Sequence, residues 1–94
     1  MLTLENFPEL KDALRIDGSE DDNVLTLLLN AAKIYLEGAG VPEEKITDST
    51  LSLYKQAIII YLNFDYEYDE RKIAKLERAF QRILLQLRAG IPSE

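Results

Sequence analysis

Two segments of this 94-residue chain, about 20–37 and 49–67, are apolar around most of their circumference when placed on a helical wheel. In the first segment the polar side chains of residues 23, 26, 30, 33 and 37 share a wedge of only about 80°. A helix in a small bundle needs one apolar stripe of about 100°. One central helix would explain one such segment, but two of them predict further burial against neighbouring chains.

Four helices are expected in all, at about 7–14, 20–37, 49–67 and 70–88. Pro8 suits an opening turn, where a missing N–H costs nothing. Ser19 is a good N-cap for the second helix, and one of residues 48–50 caps the third. Asp69 and Glu70 place negative charge at the start of the fourth helix, matching its dipole.

Glycine and proline separate these helices. Gly18 suits the turn after the first helix, and Gly38-Ala39-Gly40 with Pro42 ends the second. The pattern predicts an all-α fold, a compact bundle of one short and three longer helices in a single domain over 1–94. Strand content should be near zero, although the apolar, β-branched run 57–62 is ambiguous by periodicity alone.

The fourth helix is sharply amphipathic, with one basic stripe opposite its apolar face. The stripe consists of Arg71, Lys75, Arg78 and Arg82. Such a stripe is either the solvated back of a bundle helix or a surface that docks on an acidic partner.

Charge is distributed unevenly along the chain, whose net charge is −6. Residues 1–70 hold 15 acids and 5 bases, a balance of −10, whereas residues 71–94 hold 6 bases and 2 acids, a balance of +4. We therefore expect the basic stripe to contact acidic residues of another copy. Tyrosines are further candidates for this contact, because tyrosine is enriched at protein interfaces. The residues predicted to form the subunit interface are Arg71, Lys75, Arg78, Arg82, Glu20, Asp21, Asp22, Tyr66 and Tyr68.

Residues for catalysis or metal binding are scarce, since the chain has neither cysteine nor histidine. An EF-hand loop starting at Asp17 would need glycine at its sixth position and glutamate at its twelfth, where the chain has Asp22 and Leu28. No serine has a histidine to activate it, and no glycine-rich loop cradles phosphate. We predict that the chain is not an enzyme and uses no cofactor, metal or small-molecule substrate.

No run of about 18 apolar residues and no signal peptide is visible, so we expect a soluble protein made in the cytoplasm and no membrane partner. A free-standing duplex-DNA binder is disfavoured by the negative charge, because phosphate neutralisation supplies most of such affinity.

The order of several features resembles a known family. Leu14-Arg15-Ile16-Asp17 precedes an acidic Ser19-Glu20-Asp21-Asp22, and an apolar helix with Ala31-Ala32 and Tyr35 follows. This order is similar to that of the head–tail connector (head-completion adaptor) proteins of tailed bacteriophages and prophages. The family is also described as a putative DNA-packaging family with a Gln-Leu-Arg-Gly tetrad. Here Gln86-Leu87-Arg88 matches, but Ala89 intervenes before Gly90.

The resemblance implies a virion protein assembled in the bacterial cytoplasm and placed at the head–tail junction. About a dozen identical copies would form a ring beneath the portal, joined to portal and tail-completion proteins and crossed by DNA in passage. An alternative is a small helical adaptor that binds a cellular partner through an apolar groove. A third possibility is nucleic-acid binding through the basic fourth helix.

Overall fold

The computed structural model describes residues 1–64 and 68–91, and these form an all-helical bundle. Its helices are α1 (Glu9–Leu14), α2 (Asp22–Gly38), α3 (Leu51–Asn63) and α4 (Glu70–Ala89), with a single 3-10 turn, Glu43–Lys45, before α3. The predicted fold class is confirmed, and no strand occurs in the described ranges, so the run 57–62 is helical. The segment 38–48, predicted as a loop, contains this 3-10 turn.

Helix α3 is the central element, and α1, α2 and α4 each pack against it. Tyr54, Ala57, Ile58, Ile60 and Leu62 of α3 are buried, and its other apolar side chains are at least half covered. The prediction that α3 exposes surplus apolar surface is therefore wrong, because α1, α2 and α4 of the same molecule cover this helix.

One hydrophobic cluster draws on every helix and on the N-terminal segment. Its members are Leu2, Phe7, Leu10, Leu29, Ala32, Leu36, Val41, Tyr54, Ala57, Ile58, Ile60, Leu62, Phe80, Ile83, Leu84 and Leu87.

Helix α2 ends in a glycine-dependent cap known as a Schellman motif. The Val41 N–H donates to the Leu36 carbonyl at 2.8 Å, and the Gly40 N–H donates to the Glu37 carbonyl at 3.0 Å. Gly40 takes φ +94°, which side chains with a Cβ rarely adopt. Val41, directly after it, is fully buried. The predicted stop at Gly38-Ala39-Gly40 is confirmed.

The start of α2 differs from expectation. Ser19 is not its N-cap; α2 begins at Asp22, with Asp21 in the capping position and no side-chain cap bond. The reason is a separate turn, in which the Asp22 N–H donates to the Ser19 carbonyl at 3.3 Å. By contrast, Asp69 lies at the start of α4 as predicted, and the structure shows in addition that it is the N-cap, since its carboxylate accepts the Arg71 N–H at 2.9 Å.

The N-terminal segment is fixed onto the bundle through its backbone. The Leu2 N–H donates to Glu43 Oε2 at 2.6 Å, and Lys33 Nζ donates to the Leu2 carbonyl. Lys33 and Glu43 also form an ion pair at 3.2 Å. Close by, Lys55 lies 3.5 Å from Glu9 and 5.3 Å from the centre of the Phe7 ring, which secures α1 on α3.

Beneath this segment the Tyr54 side chain is fully buried, and its hydroxyl has no hydrogen-bond partner in the described chain. Burial raises the pKa of Tyr54 well above its usual value, and the nearby carboxylates of Glu43 and Glu37 raise it further. The neutral phenol is thus strongly favoured in the fold.

Two glycines at the C-terminal end of α2 should respond oppositely to alanine. Gly40→Ala places a Cβ at positive φ and should lower the free energy of unfolding by about 1 kcal/mol. Gly38→Ala lies in the last helical turn with open space around it and should raise stability by up to about 1 kcal/mol. Urea unfolding of both variants measures this, and a loss of stability in Gly38→Ala would contradict it.

Tyr54→Phe should leave stability unchanged or raise it by up to about 1 kcal/mol, because it removes a buried hydroxyl without a partner. Since the folded pKa of Tyr54 is raised, the unfolded chain loses this proton first, and stability should fall as pH rises above about 10. Denaturant melts from pH 8 to pH 11 should show a smaller fall in Tyr54→Phe than in the wild type. An equal fall would show that other groups cause it.

Candidate functional site: two uncovered helix faces

Helix α2 has three longitudinal faces rather than two. Leu25, Leu29, Ala32 and Leu36 form the buried face, and polar residues form the second. The third face, here called the α2 stripe, is apolar and, apart from the half-buried Leu28, exposed, and it spans about 120°. The α2 stripe consists of Val24, Leu27, Leu28, Ala31, Ile34, Tyr35 and Gly38.

Exposure along the α2 stripe is high for large apolar side chains. The exposed fractions are 55% for Val24, 70% for Leu27 and 73% for Ile34. These residues follow one another along a single helix face, so the exposed area is continuous rather than scattered. A continuous apolar face of this kind marks an interaction surface more often than isolated exposed residues do. The predicted surplus of apolar surface is therefore confirmed for α2.

An aromatic cluster joins the α2 stripe to the core. The Tyr35 ring stacks on Tyr61 with centroids 4.6 Å apart and lies 6.0 Å from Phe80. Phe64 meets Phe80 edge to face at 5.7 Å. These rings, with Glu77 and Gln81, line a small pocket of about 280 Å³. A partner on the α2 stripe would thus meet a pocket suited to one apolar or aromatic side chain.

The basic stripe of α4 lies where the sequence places it. Arg71, Lys75, Arg78 and Arg82 are all exposed, within about 60° of arc and opposite the buried Phe80, Ile83, Leu84 and Leu87. Within residues 1–64 and 68–91, no ion pair involves the side chains of this stripe. Leu85, 63% exposed, borders it.

The three predicted acids are not equivalent. Glu20 and Asp21 are exposed in the turn before α2. Asp22 instead pairs with Lys11 at 2.6 Å, and Lys11 Nζ also donates to the Gly18 carbonyl at 2.7 Å. Asp22 thus has a structural role inside the molecule, which connects α1 to the start of α2.

Of the two tyrosines predicted at the interface, the structure describes only one. Tyr68 is 90% exposed, just before α4. Tyr66 lies outside the described residues. Tyr35, which is not among the predicted interface residues, is the tyrosine that the α2 stripe shares with the core. Its i, i+4 relation to Ala31 is the sequence signal that places it on this face.

The described residues hold neither a membrane-spanning helix nor a cluster of metal ligands. None of the helices found there is long and apolar enough to cross a membrane. No group of three or more acidic, histidine or cysteine side chains in these ranges is arranged to hold a metal ion.

Comparison with known proteins returned no matching family model, no matching curated protein and no matching solved structure.

Lys11→Met should lower the free energy of unfolding by about 1 kcal/mol, because it removes the bond to Gly18 and the partly exposed pair with Asp22. Lys75→Met is the matched control, since Lys75 is exposed on the basic stripe, and should change stability by less than about 0.5 kcal/mol. Thermal or urea unfolding measures both. Equal effects would mean that Lys11 has no special structural role.

Proposed function

We propose that this chain is a structural, non-enzymatic subunit of a head–tail connector ring of a tailed bacteriophage or prophage. Each ring would join the portal of the capsid to the tail and leave a channel for DNA. The family resemblance of the sequence motivates this assignment, and the observation that carries it is the pair of uncovered faces, one apolar on α2 and one basic on α4.

Two chemically different faces suit a ring better than a pair. In a ring each copy presents one surface to the preceding neighbour and another surface to the following neighbour. The basic stripe would meet exposed acids of the adjacent copy, with Glu20 and Asp21 as the preferred acids because Asp22 is already paired with Lys11. Apolar burial of the α2 stripe would supply affinity, while the charges would set register and association rate.

Passage of DNA through such a ring fits the negative net charge. A channel wall carrying acids would repel phosphate and keep the DNA from adhering. In the ring the basic stripe would be covered by the neighbouring copy and could not also bind DNA. DNA binding by the assembled ring should therefore be weak and steeply salt-dependent.

Charge reversal provides the test of the ring. Arg78→Glu with Arg82→Glu should abolish rings seen by negative-stain electron microscopy at high protein concentration, while helix content by circular dichroism stays the same. Lys72→Glu is the control for either single reversal, Arg78→Glu or Arg82→Glu, since Lys72 is exposed on α4 but lies outside the basic stripe. Adding Glu20→Lys and Asp21→Lys to the double variant should restore rings, because both surfaces of each contact are then reversed.

Two results would contradict the proposal. One is a wild-type chain that never forms rings at any concentration and does not join portal-containing capsids. The other is assembly that Arg78→Glu with Arg82→Glu leaves intact.

A second candidate function is an adaptor that binds one helix of a cellular partner. The aromatic pocket beside the α2 stripe favours it, because a helix lying on the stripe could insert one anchor side chain between Tyr35, Phe64 and Phe80. Such an adaptor would bind one partner per chain and form no rings, so stoichiometry by light scattering separates it from the connector.

A further inference from the structure

The α2 stripe contains a regular seam. Val24, Leu27, Ala31, Ile34 and Gly38 follow one another at intervals of three and four residues, and all five are exposed. Alternating steps of three and four are the spacing by which two helices pack side by side in a coiled coil. The seam is neutral throughout, and small residues at 31 and 38 allow close approach of another helix.

Side-chain sizes along the seam suit a second copy of α2 running in the opposite direction. When Val24 lies opposite Ile34 of the second copy, Leu27 lies opposite its Ala31, and the same pairs repeat on the other side of the two-fold axis. Each large side chain then faces a smaller one. A parallel pair would instead place Ala31 against Ala31 and Gly38 against Gly38, which leaves gaps without packing contacts.

Polar residues beside the seam also tolerate this arrangement. Asn23, Asn30 and Glu37 follow the same edge of α2 at seven-residue intervals. In the antiparallel register Asn30 lies near Asn30 of the second copy, and Asn23 lies near its Glu37. No two like charges face each other along this edge.

Charges at the two ends of α2 select the antiparallel direction. Arg88 Nε donates to the Ala39 carbonyl at 2.7 Å, which holds an exposed guanidinium at the C-terminal end of α2. At the other end, Glu20 and Asp21 are exposed directly before the first turn. An antiparallel pair brings these acids of one copy to Arg88 of the other, at both ends of the seam.

We infer that the free chain forms a two-fold dimer through antiparallel pairing of its α2 seams. A two-fold contact uses the same surface on both copies and closes on itself. The dimer therefore cannot continue into a ring; it covers the apolar stripe until other contacts replace it. This inference goes beyond the proposed function and holds whether or not rings form.

The dimer is a weak one. The seam covers 15 residues, about 22 Å of helix, and a helix is about 10 Å wide, so its footprint is on the order of 220 Å². Stable interfaces bury about 800 Å² per partner. We therefore expect a dissociation constant between about 1 μM and 1 mM, which lets the dimer open during assembly.

Sedimentation equilibrium and light scattering over a concentration series test the dimer. Leu27→Glu should be monomeric where the wild type is dimeric, with a dissociation constant raised by about tenfold or more, because it buries a charge in place of an apolar contact. Thr26→Glu is the matched control: it adds the same charge on the exposed polar face of the same helix and should remain a dimer. Circular dichroism confirms that both variants are folded.

Direction is tested by disulfide formation, which the absence of native cysteine makes unambiguous. Val24→Cys and Ile34→Cys chains, distinguished by mass, are mixed in equal amounts and oxidised. The mixed disulfide should clearly exceed the sum of the two self-linked disulfides, which it would only equal if the chains paired at random. Preferential self-linking of Ile34→Cys would overturn the antiparallel register.

The dimer itself would be overturned by a wild-type monomer at all concentrations up to about 1 mM, or by equal weakening in Thr26→Glu and Leu27→Glu. Arg78→Glu with Arg82→Glu should keep the dimer, since neither residue belongs to the seam. In that double variant the rings test the proposed function and the dimer tests this inference, so either one can fail without the other.

Discussion

Burial of α3 on several sides is the constraint on which the rest of this structure depends. A short chain has little core, and here most of it gathers around Tyr54, Ala57 and Ile58, which are fully buried. Because α1, α2 and α4 pack on α3, each of them needs only one apolar face toward the centre. Any further apolar face on those outer helices is left outside the core.

That consequence is visible in the contrast between α2 and α4. On α4 the face opposite the core is polar except for Leu85, and it carries the basic stripe. On α2 the polar residues occupy one flank only, and Leu27 and Ile34 extend into solvent although Leu29 and Leu36 already supply the face that the core needs. Most of the exposed apolar surface is therefore on α2, and most of the positive charges without an ion pair among residues 1–64 and 68–91 are grouped on α4.

Much of the fold could be predicted from the sequence, because its signals are local. Gly40 has to supply the positive φ of the α2 cap, and Asp69 supplies the α4 cap. The candidate site was harder to predict than the fold, because a helical wheel shows which side chains share a face but not which face packs against the core. The wheel of α3 resembles that of α2, yet one helix is central and the other is peripheral. Contacts between residues distant in sequence could not be predicted either, because only folding brings Lys11 to Asp22 and Arg88 to the Ala39 carbonyl.

The position of Tyr35 has an optical consequence. Its ring belongs at once to the exposed α2 stripe and to the stack with Tyr61, and the chain has no tryptophan to mask tyrosine signals. Contact at the stripe would alter the environment and freedom of that stacked pair. Near-ultraviolet circular dichroism and tyrosine emission therefore report occupancy of the outer face of α2 without any added label, in the same molecule whose assembly is being followed.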